Sequence, residues 1–538
     1  MKLERLHEYI IPTVVIGGGM LLAVFVGSLS GTGQIPRLFM LFAAVAALVL
    51  LIAQNRNVWL LIPACWFLIG KVQILPIPFS VRDLTVMLVF GMTLVMLAFK
   101  LVRTKPEYGW LDLLLALNVG YLATCFARNP VGIDAFNSDL VGGKPYFDVF
   151  IGGLAYWVLM RMRVTPGAAK TLPLITVITS GTIAVFGLVT WFFPATAPIL
   201  TSFYSGIDSG RYQDPANLDQ GSSSQPERMS GFRDFGKWGS IAICSYFHPF
   251  TLLIPAYPFR VLGFVILGIA LLLSGFRSFV MYAGAMFLMG TFFRTGFRGL
   301  LGPVLAAVFA LVLLVAGQGR IYDLPLVVQR SLAFLPGDWD YYAKQSGEGS
   351  TEWRVIMWKT VLTSDEFIRN KFLGDGFGFT RRELQFISVR NFGIQTDDMS
   401  REIAMIAGDY HSGPVSSLKF VGVPGLILFY ILLIAMARKA VVQIKRARNT
   451  PYFTFALFVG MPIIFEPFFF TFIFGGYNGA LPTALFGAGM LKLTECSLND
   501  YLAKSEAQSP EQTLPEPART AHPRGETLTG SPRVTARP

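Results

Sequence analysis

Apolar runs close to the roughly 20 residues that a helix needs to cross a bilayer recur about fourteen times along this chain. They fall at 10–28, 36–53, 58–76, 84–101, 110–127, 146–161, 171–193, 238–256, 260–275, 278–293, 300–316, 415–436, 452–473 and 477–493. With 53% hydrophobic and 14% charged residues and a mean hydropathy of +0.53, the chain is far more apolar than a soluble domain of its size. The composition therefore predicts an all-α integral membrane protein with 12–14 transmembrane helices.

One long polar segment interrupts the pattern, from Gly317 to Pro414. It carries eleven Lys/Arg and thirteen Asp/Glu, a nearly balanced surface suited to a small folded module on the membrane. Loops of more than about 15 residues are usually lids or binding elements, so the insert is the expected seat of function, mostly helical in character. The expected organisation is 1–316 as membrane helices with an outer loop at 194–237, 317–414 as the insert, 415–495 as the last spans and 496–538 as a disordered tail. That tail is rich in Pro, Ser, Thr, Glu and Arg and has too little apolar surface to order itself.

The net charge of +12 does not call for nucleic acid. Lys2 and Arg5, Arg56, Lys100, Arg103 and Lys105, Arg161, Arg163 and Lys170, Arg260, Arg294 and Arg298, and the run Arg438 to Arg448 fall on one side if both termini are cytoplasmic. Short cytoplasmic loops carry such an excess, which puts the insert and the 194–237 loop on the periplasmic or extracellular face. The apolar run at 10–28 is long and lacks a small-residue cleavage site, so it reads as a retained helix. Cys65, Cys125, Cys244 and Cys496 have neither disulfide nor metal spacing.

Several polar groups stand out on the outer side. Arg277 lies in the tight turn Leu273-Ser274-Gly275-Phe276-Arg277-Ser278, and a cation at membrane depth, costing about 2.5–3.5 kcal/mol, usually marks a site. Arg354 and Trp358 sit four apart on an amphipathic helix within 350–363. His411 precedes the return into the membrane, and Asp409 beside it is positioned to orient the ring or to replace it as a base. Arg228 and Arg233, with Lys237, read either as an interfacial anchor or as anion-binding groups. The acidic loop residues Asp134 and Asp139 and the pair Asp397-Asp398 read as solvated surface, while Glu466, inside the thirteenth run, is either paired or protonated. Two fork-shaped guanidiniums suit a diphosphate, and a histidine near its water pKa suits removal of a hydroxyl proton.

At these residues the chain resembles the O-antigen ligase and Wzy-type polysaccharide polymerase superfamily, membrane glycosyltransferases that use polyprenyl-diphosphate-linked saccharides. Ser274-Gly275-Phe276-Arg277 matches the family's Ser-Gly/Ser-x-Arg turn, Arg354 through Trp358 its Arg-x-x-x-Trp, and His411 through Gly425 its insert-ending histidine and Gly-rich helix. The Gly374–Gly378 turn and Arg228-x-x-Gly231-Phe232 look similar too, and the likeness spans about 220–435. Ser412 stands where the family commonly has Asn, and Ser278 where Gly is common, which leaves subfamily and acceptor open. The resemblance implies a GT-C-like fold and an inverting, metal-independent transfer without a cofactor in the bacterial inner membrane, with the active site on the periplasmic face. It further implies that Arg277 and Arg354 hold the donor diphosphate, that His411 assists the acceptor hydroxyl, and that Arg228, Arg233, Trp358 and Asp409 support the substrates. The implied partners are the polyprenyl-diphosphate-linked oligosaccharide donor, a saccharide acceptor, membrane lipids and other polysaccharide-assembly proteins. A surface-polysaccharide polymerase is the leading expectation. A ligase onto lipid A core and an exporter of lipid-linked saccharide are the alternatives.

Overall fold

A computed structural model describes residues 55–73, 79–100, 107–132, 142–207, 229, 231–379, 383 and 397–508. The runs expected at 10–28 and 36–53, Asp134, Asp139 and Arg228 lie outside the described residues, as does the tail beyond Gln508. Two compact units are distinguished, Met1–Leu498 and Asn499–Pro538, and the architecture below is that of the first.

Among the described residues there are sixteen α-helices and no β-strand, only isolated bridges. They are α1 (Leu61–Cys65), α2 (Val81–Ala98), α3 (Trp110–Arg128), α4 (Lys144–Leu159), α5 (Pro166–Phe192), α6 (Ala197–Phe203), α7 (Phe232–Tyr246) and α8 (Pro258–Leu273). Then follow α9 (Arg277–Thr295), α10 (Leu301–Gly317), α11 (Leu326–Leu332), α12 (Tyr341–Thr363), α13 (Asp397–Ala407), α14 (Gly413–Ala447), α15 (Phe453–Phe468) and α16 (Tyr477–Gln508). Six helical segments are long and apolar enough to cross a membrane: α2, α3, α5, Phe297–Gly317, α14 and Phe453–Ile473. Along α10 only Pro303 and Gly317 are buried, while Leu305, Phe309, Val312 and Leu313 are exposed. A helix that turns such side chains outward is solvated by hydrocarbon, so the protein is membrane-embedded.

Three runs depart from simple helices. The run at 58–76 begins as a 3₁₀ turn, Asn55–Leu60, and becomes only the short α1 before bridges form from Lys71 to Ser80 and Val72 to Tyr204. Gly70 donates its N–H to the Tyr204 hydroxyl at 3.1 Å, an approach that leaves no space for a side chain. The run at 238–256 stops at Tyr246, before His248-Pro249, where the missing N–H ends the helix and a 3₁₀ turn follows. The helical residues 496–508 correct the expected tail boundary, since helix continues to Gln508.

Side-chain contacts sort the helix ends into two groups. One gathers Arg448 on the carbonyl of Arg294 (3.1 Å), Arg294 on the carbonyls of Cys244 and Ser245, Tyr452 on Val164 (2.6 Å) and Lys492 on Glu107 (2.9 Å). The other gathers the starts of α2, α4, α7, α9 and α14 with the insert. There Arg128 donates to the carbonyl of Leu373 (2.7 Å), Asn129 to that of Asp375 (2.7 Å), and Ser331 to that of Leu272 (3.4 Å).

The insert is locked onto the bundle at a break in α14. Gly422 has φ +64, so the helix is interrupted there and its backbone groups lose their regular partners. The segment after α12 fills the gap. Val423 N–H donates to Phe372 O (2.9 Å), Asp375 N–H to Lys419 O (2.6 Å) and Gly376 N–H to Phe420 O (3.0 Å). A Cβ on Gly422 would stand 2.1 Å from the Phe372 oxygen, and one on Gly374 2.5 Å from the Val421 carbonyl carbon. The turn then seats Phe377, fully buried, against Tyr146, Phe420 and Tyr477. Gly422→Ala should therefore cost at least about 2 kcal/mol, the strain of a positive-φ, extended-ψ conformation that glycine alone adopts readily plus the clash, and lower the thermal midpoint. Gly268→Ala, in open space, is the control, and equal midpoints for the two variants would contradict the lock.

Candidate active site

Arg277 owes its position to the turn between α8 and α9. Ser274, buried, donates its hydroxyl to Leu271 O (2.6 Å), and Gly275 adopts φ +71, which reverses the chain within three residues. α9 therefore begins at Arg277 itself. The turn is held from outside by Met229 N–H on Leu273 O (3.3 Å) and by Ser331 of α11.

Arg354 reaches the same region from α12. That helix buries Met357 and Val361, one turn apart, against Ile368, Tyr410 and Val415, with Trp353, Trp358, Phe367 and Met405 packed around them. On the adjoining stripe Trp358 donates its indole N–H to the Tyr410 carbonyl at 2.8 Å. This bond fixes the backbone immediately before His411. Arg354 lies one turn before Trp358; its Nε is buried and has no hydrogen-bond partner among the described residues. Burial lowers the guanidinium from its ordinary value, and the charge of Asp409 opposes that effect. Its charge in turn acts on Arg277, which has no carboxylate partner among the described residues.

His411 closes the constellation. α13 ends through Gly408 (φ +77) with Asp409 N–H on Ala404 O (2.9 Å), and His411 itself has φ +50, a left-handed conformation uncommon for a residue with a side chain. Its ring stacks on Phe474 at 5.2 Å and 27°. Nδ1 lies 3.1 Å from Asp409 Oδ1, close enough for an ion pair, but the N–H is not aligned on the oxygen and Nδ1 makes no regular hydrogen bond. With Nδ1 turned to Asp409, Nε2 is the nitrogen left for a substrate.

The contact with His411 holds the Asp409 carboxyl below the usual carboxylate range, burial opposing and Arg354 assisting. Since the folded value is the lower one, any stabilisation is present above the ordinary carboxylate pKa of about 3.9 and is lost as pH falls through the depressed value. Water screens the contact, because the Asp409 side chain is 63% exposed. At neutral pH Asp409 is an anion beside the ring.

The structure thus brings Arg277, Arg354, Trp358, Asp409 and His411 into one neighbourhood. No contact joins Arg233 to them among the described residues. Arg233 pairs with Asp234 at 3.1 Å and lines a separate cavity within the helices. One group escaped sequence reasoning. Arg330 on α11, 6% exposed and with its Nη1 unpartnered among the described residues, belongs to the helix packed on the 274–277 turn. The signal was an arginine inside Leu326–Leu332, a stretch that mixes Leu and Val with Gln329 and Ser331 and so reads from sequence as ordinary insert surface. No protein-family model and no curated protein matches the chain.

Trp358→Phe keeps an aromatic side chain but removes the indole N–H that fixes the backbone before His411, together with part of the ring packed on the insert core. The variant should lose about 1–3 kcal/mol, the cost of an unsatisfied buried carbonyl, which calorimetry of the purified protein would read. An unchanged midpoint would mean that packing alone places the histidine.

Proposed function

We propose that the protein is a membrane glycosyltransferase that moves a saccharide from a polyprenyl-diphosphate-linked donor to an acceptor sugar hydroxyl, acting as a surface-polysaccharide polymerase. The observation that carries this reading is the approach of Arg277 and Arg354, two guanidiniums from separate parts of the chain, close enough for the charge of Arg354 to act on Arg277, beside a strained histidine. Like charges brought together at a membrane boundary cost energy unless an anion joins them. A diphosphate accepts from both forks and relieves the repulsion.

In the proposed step the acceptor oxygen attacks the anomeric carbon while the bond from that carbon to the diphosphate oxygen breaks. The hydroxyl proton passes to His411, the configuration inverts, and polyprenyl diphosphate leaves on the arginines. Asp409 steadies the imidazolium that forms. General-base assistance of this kind contributes about 10²–10⁴-fold.

The reading includes fourteen crossings in a GT-C-like arrangement. Six segments long and apolar enough to cross, with the placement of helix ends in the two groups described above, support a multi-pass arrangement from residue 55 onward, and two further crossings are expected before it. The basic ends around Arg294, Arg298, Lys445 and Arg448 are then cytoplasmic, and the insert is periplasmic at the bacterial inner membrane. Lys344→Cys and Arg298→Cys, both at exposed positions, test this. An impermeant maleimide should label the first in intact spheroplasts and the second only after permeabilisation, whereas the opposite pattern would invert the assignment.

Incubating purified protein with a polyprenyl-diphosphate oligosaccharide should produce a ladder of products. A single addition onto supplied lipid A core would make it a ligase, and translocation without transfer would make it an exporter. Arg277→Lys and Arg354→Lys should weaken both donor binding and turnover, because a point charge does not reproduce a bidentate fork. His411→Ala should lose at least about 100-fold in turnover with donor binding retained, and Asp409→Asn should be milder. Near-normal transfer by both lysine variants would leave headgroup anchoring as the role of the arginines.

A further inference from the structure

Beneath the insert, a cavity of about 320 Å³ opens into the helix bundle, within the size range of ligand pockets. It contains neither Arg277, Arg354 nor His411. The same helix borders both places, since Tyr282 on the cavity wall lies five residues after Arg277, about 7.5 Å further along α9.

Its lining is graded. Arg233 and Lys237 on the first turns of α7 and Glu466 near the end of α15 lie toward the insert, while Leu433, Met436 and Met490 lie further along their helices, away from it. That gradient is the signature of an amphiphile with its head at the insert and its chain inside.

The head must carry both signs of charge. Arg82 is already committed to Asp83 (3.0 Å) and Asp148. Lys237 and Glu466 face the cavity and act on one another's charge, but no ion pair closes between them. Neither makes a hydrogen bond to a described side chain or carbonyl. The ammonium of Lys237 is surrounded instead by the rings of Tyr282 (5.1 Å), Trp238 (5.5 Å) and Phe279 (6.0 Å). Charges held apart in this way at membrane depth cost energy until something joins them. A diphosphate would complement the cations and be repelled by Asp234 and Glu466, and a saccharide would leave the apolar depth unfilled. A headgroup that pairs a phosphate with a primary amine answers all three features. Its phosphate meets Lys237, beside the Arg233–Asp234 pair, its ammonium donates to Glu466, and its chain runs inward, with Ile69, 61% exposed, at the open rim.

We propose that this cavity is a binding site for one amino-phospholipid, held through its phosphate and its primary amine. The inference goes beyond the glycosyl-transfer reading and does not depend on it, because the bound lipid is read directly.

Full-length protein would be reconstituted with equal amounts of phosphatidylethanolamine, phosphatidylglycerol and phosphatidylcholine, washed in detergent, and examined by native mass spectrometry. Wild type should retain one phosphatidylethanolamine, with phosphatidylcholine weaker because its quaternary ammonium has no N–H for Glu466. Glu466→Gln and Lys237→Met should each reduce retention about tenfold or more, as expected for losing one side of a desolvated charge pair. Since either change touches a buried charge, Thr483→Trp is the second arm: it narrows the cavity without altering charge and should also shed the lipid while eluting and melting as wild type does. Equal retention of the three lipids, preference for phosphatidylglycerol, or a folded Thr483→Trp that keeps its lipid would overturn the proposal. Displacement of phosphatidylethanolamine by added polyprenyl diphosphate would do so as well, assigning the cavity to the donor while sparing the transferase reading.

Discussion

The organisation of the insert hangs on a defect in a helix. α14 is 35 residues long, about 52 Å at helical rise, and would cross a bilayer with length to spare if it were continuous. It is interrupted at Gly422, where backbone groups in an apolar setting need partners at a cost of several kcal/mol each if left alone. The residues after α12 provide them through Phe372, Asp375 and Gly376. This is possible only because Gly374 and Gly422 have no side chains to hold the two backbones apart. Once those bonds form, the direction of the turn is settled. Arg128 and Asn129 cap its carbonyls from α3, and Tyr146 of α4 accepts the N–H of Phe377.

The same anchorage governs the chemistry proposed for the site. With the 372–376 segment fixed on residues 419–423 and Trp358 on the Tyr410 carbonyl, the stretch from Gly408 to Ser412 is held at its middle and just beyond its C-terminal end. His411 then takes its left-handed backbone and its place against Phe474. Strain of this kind persists only where surrounding contacts over-determine it. Here those contacts come from the insert and from the segment joining α15 to α16 together.

Charge is handled differently in the two parts of the molecule. Within the helix bundle, Lys492 contacts Asp112 (2.8 Å) and Lys439 contacts Glu495 (2.6 Å), while Arg294 donates to the carbonyls of Cys244 and Ser245, because an uncompensated buried charge is too costly. Lys237 and Glu466 depart from that habit by facing each other across space. At the insert, Arg277 and Arg354 depart from it further, two cations near one another with the water-screened Asp409 as the carboxylate in range among the described residues. A ligand would complete the electrostatics at both places, and they ask for different ones.

The all-helical, membrane-embedded architecture was legible in the sequence, because hydrocarbon removes the solvent that would otherwise satisfy a peptide group and leaves helix as the local solution for an apolar run. Arg277 and His411 could be picked out in the sequence as polar residues at the edges of such runs, where a charge has few bland uses, and Arg354 as a cation on an amphipathic helix within the insert. Tertiary structure decided which of them meet. Arg233 carries the same charge on the same side yet belongs to another cavity, and Arg330 looked like insert surface yet is buried at the turn. Sequence spacing reports neighbours within a helix, whereas the approach of α12, α9 and the 408–412 stretch depends on how separate helices pack, and on the backbone gap at Gly422 that only a distant segment can fill. Such contacts involve residues far apart in the chain, and no local pattern records them.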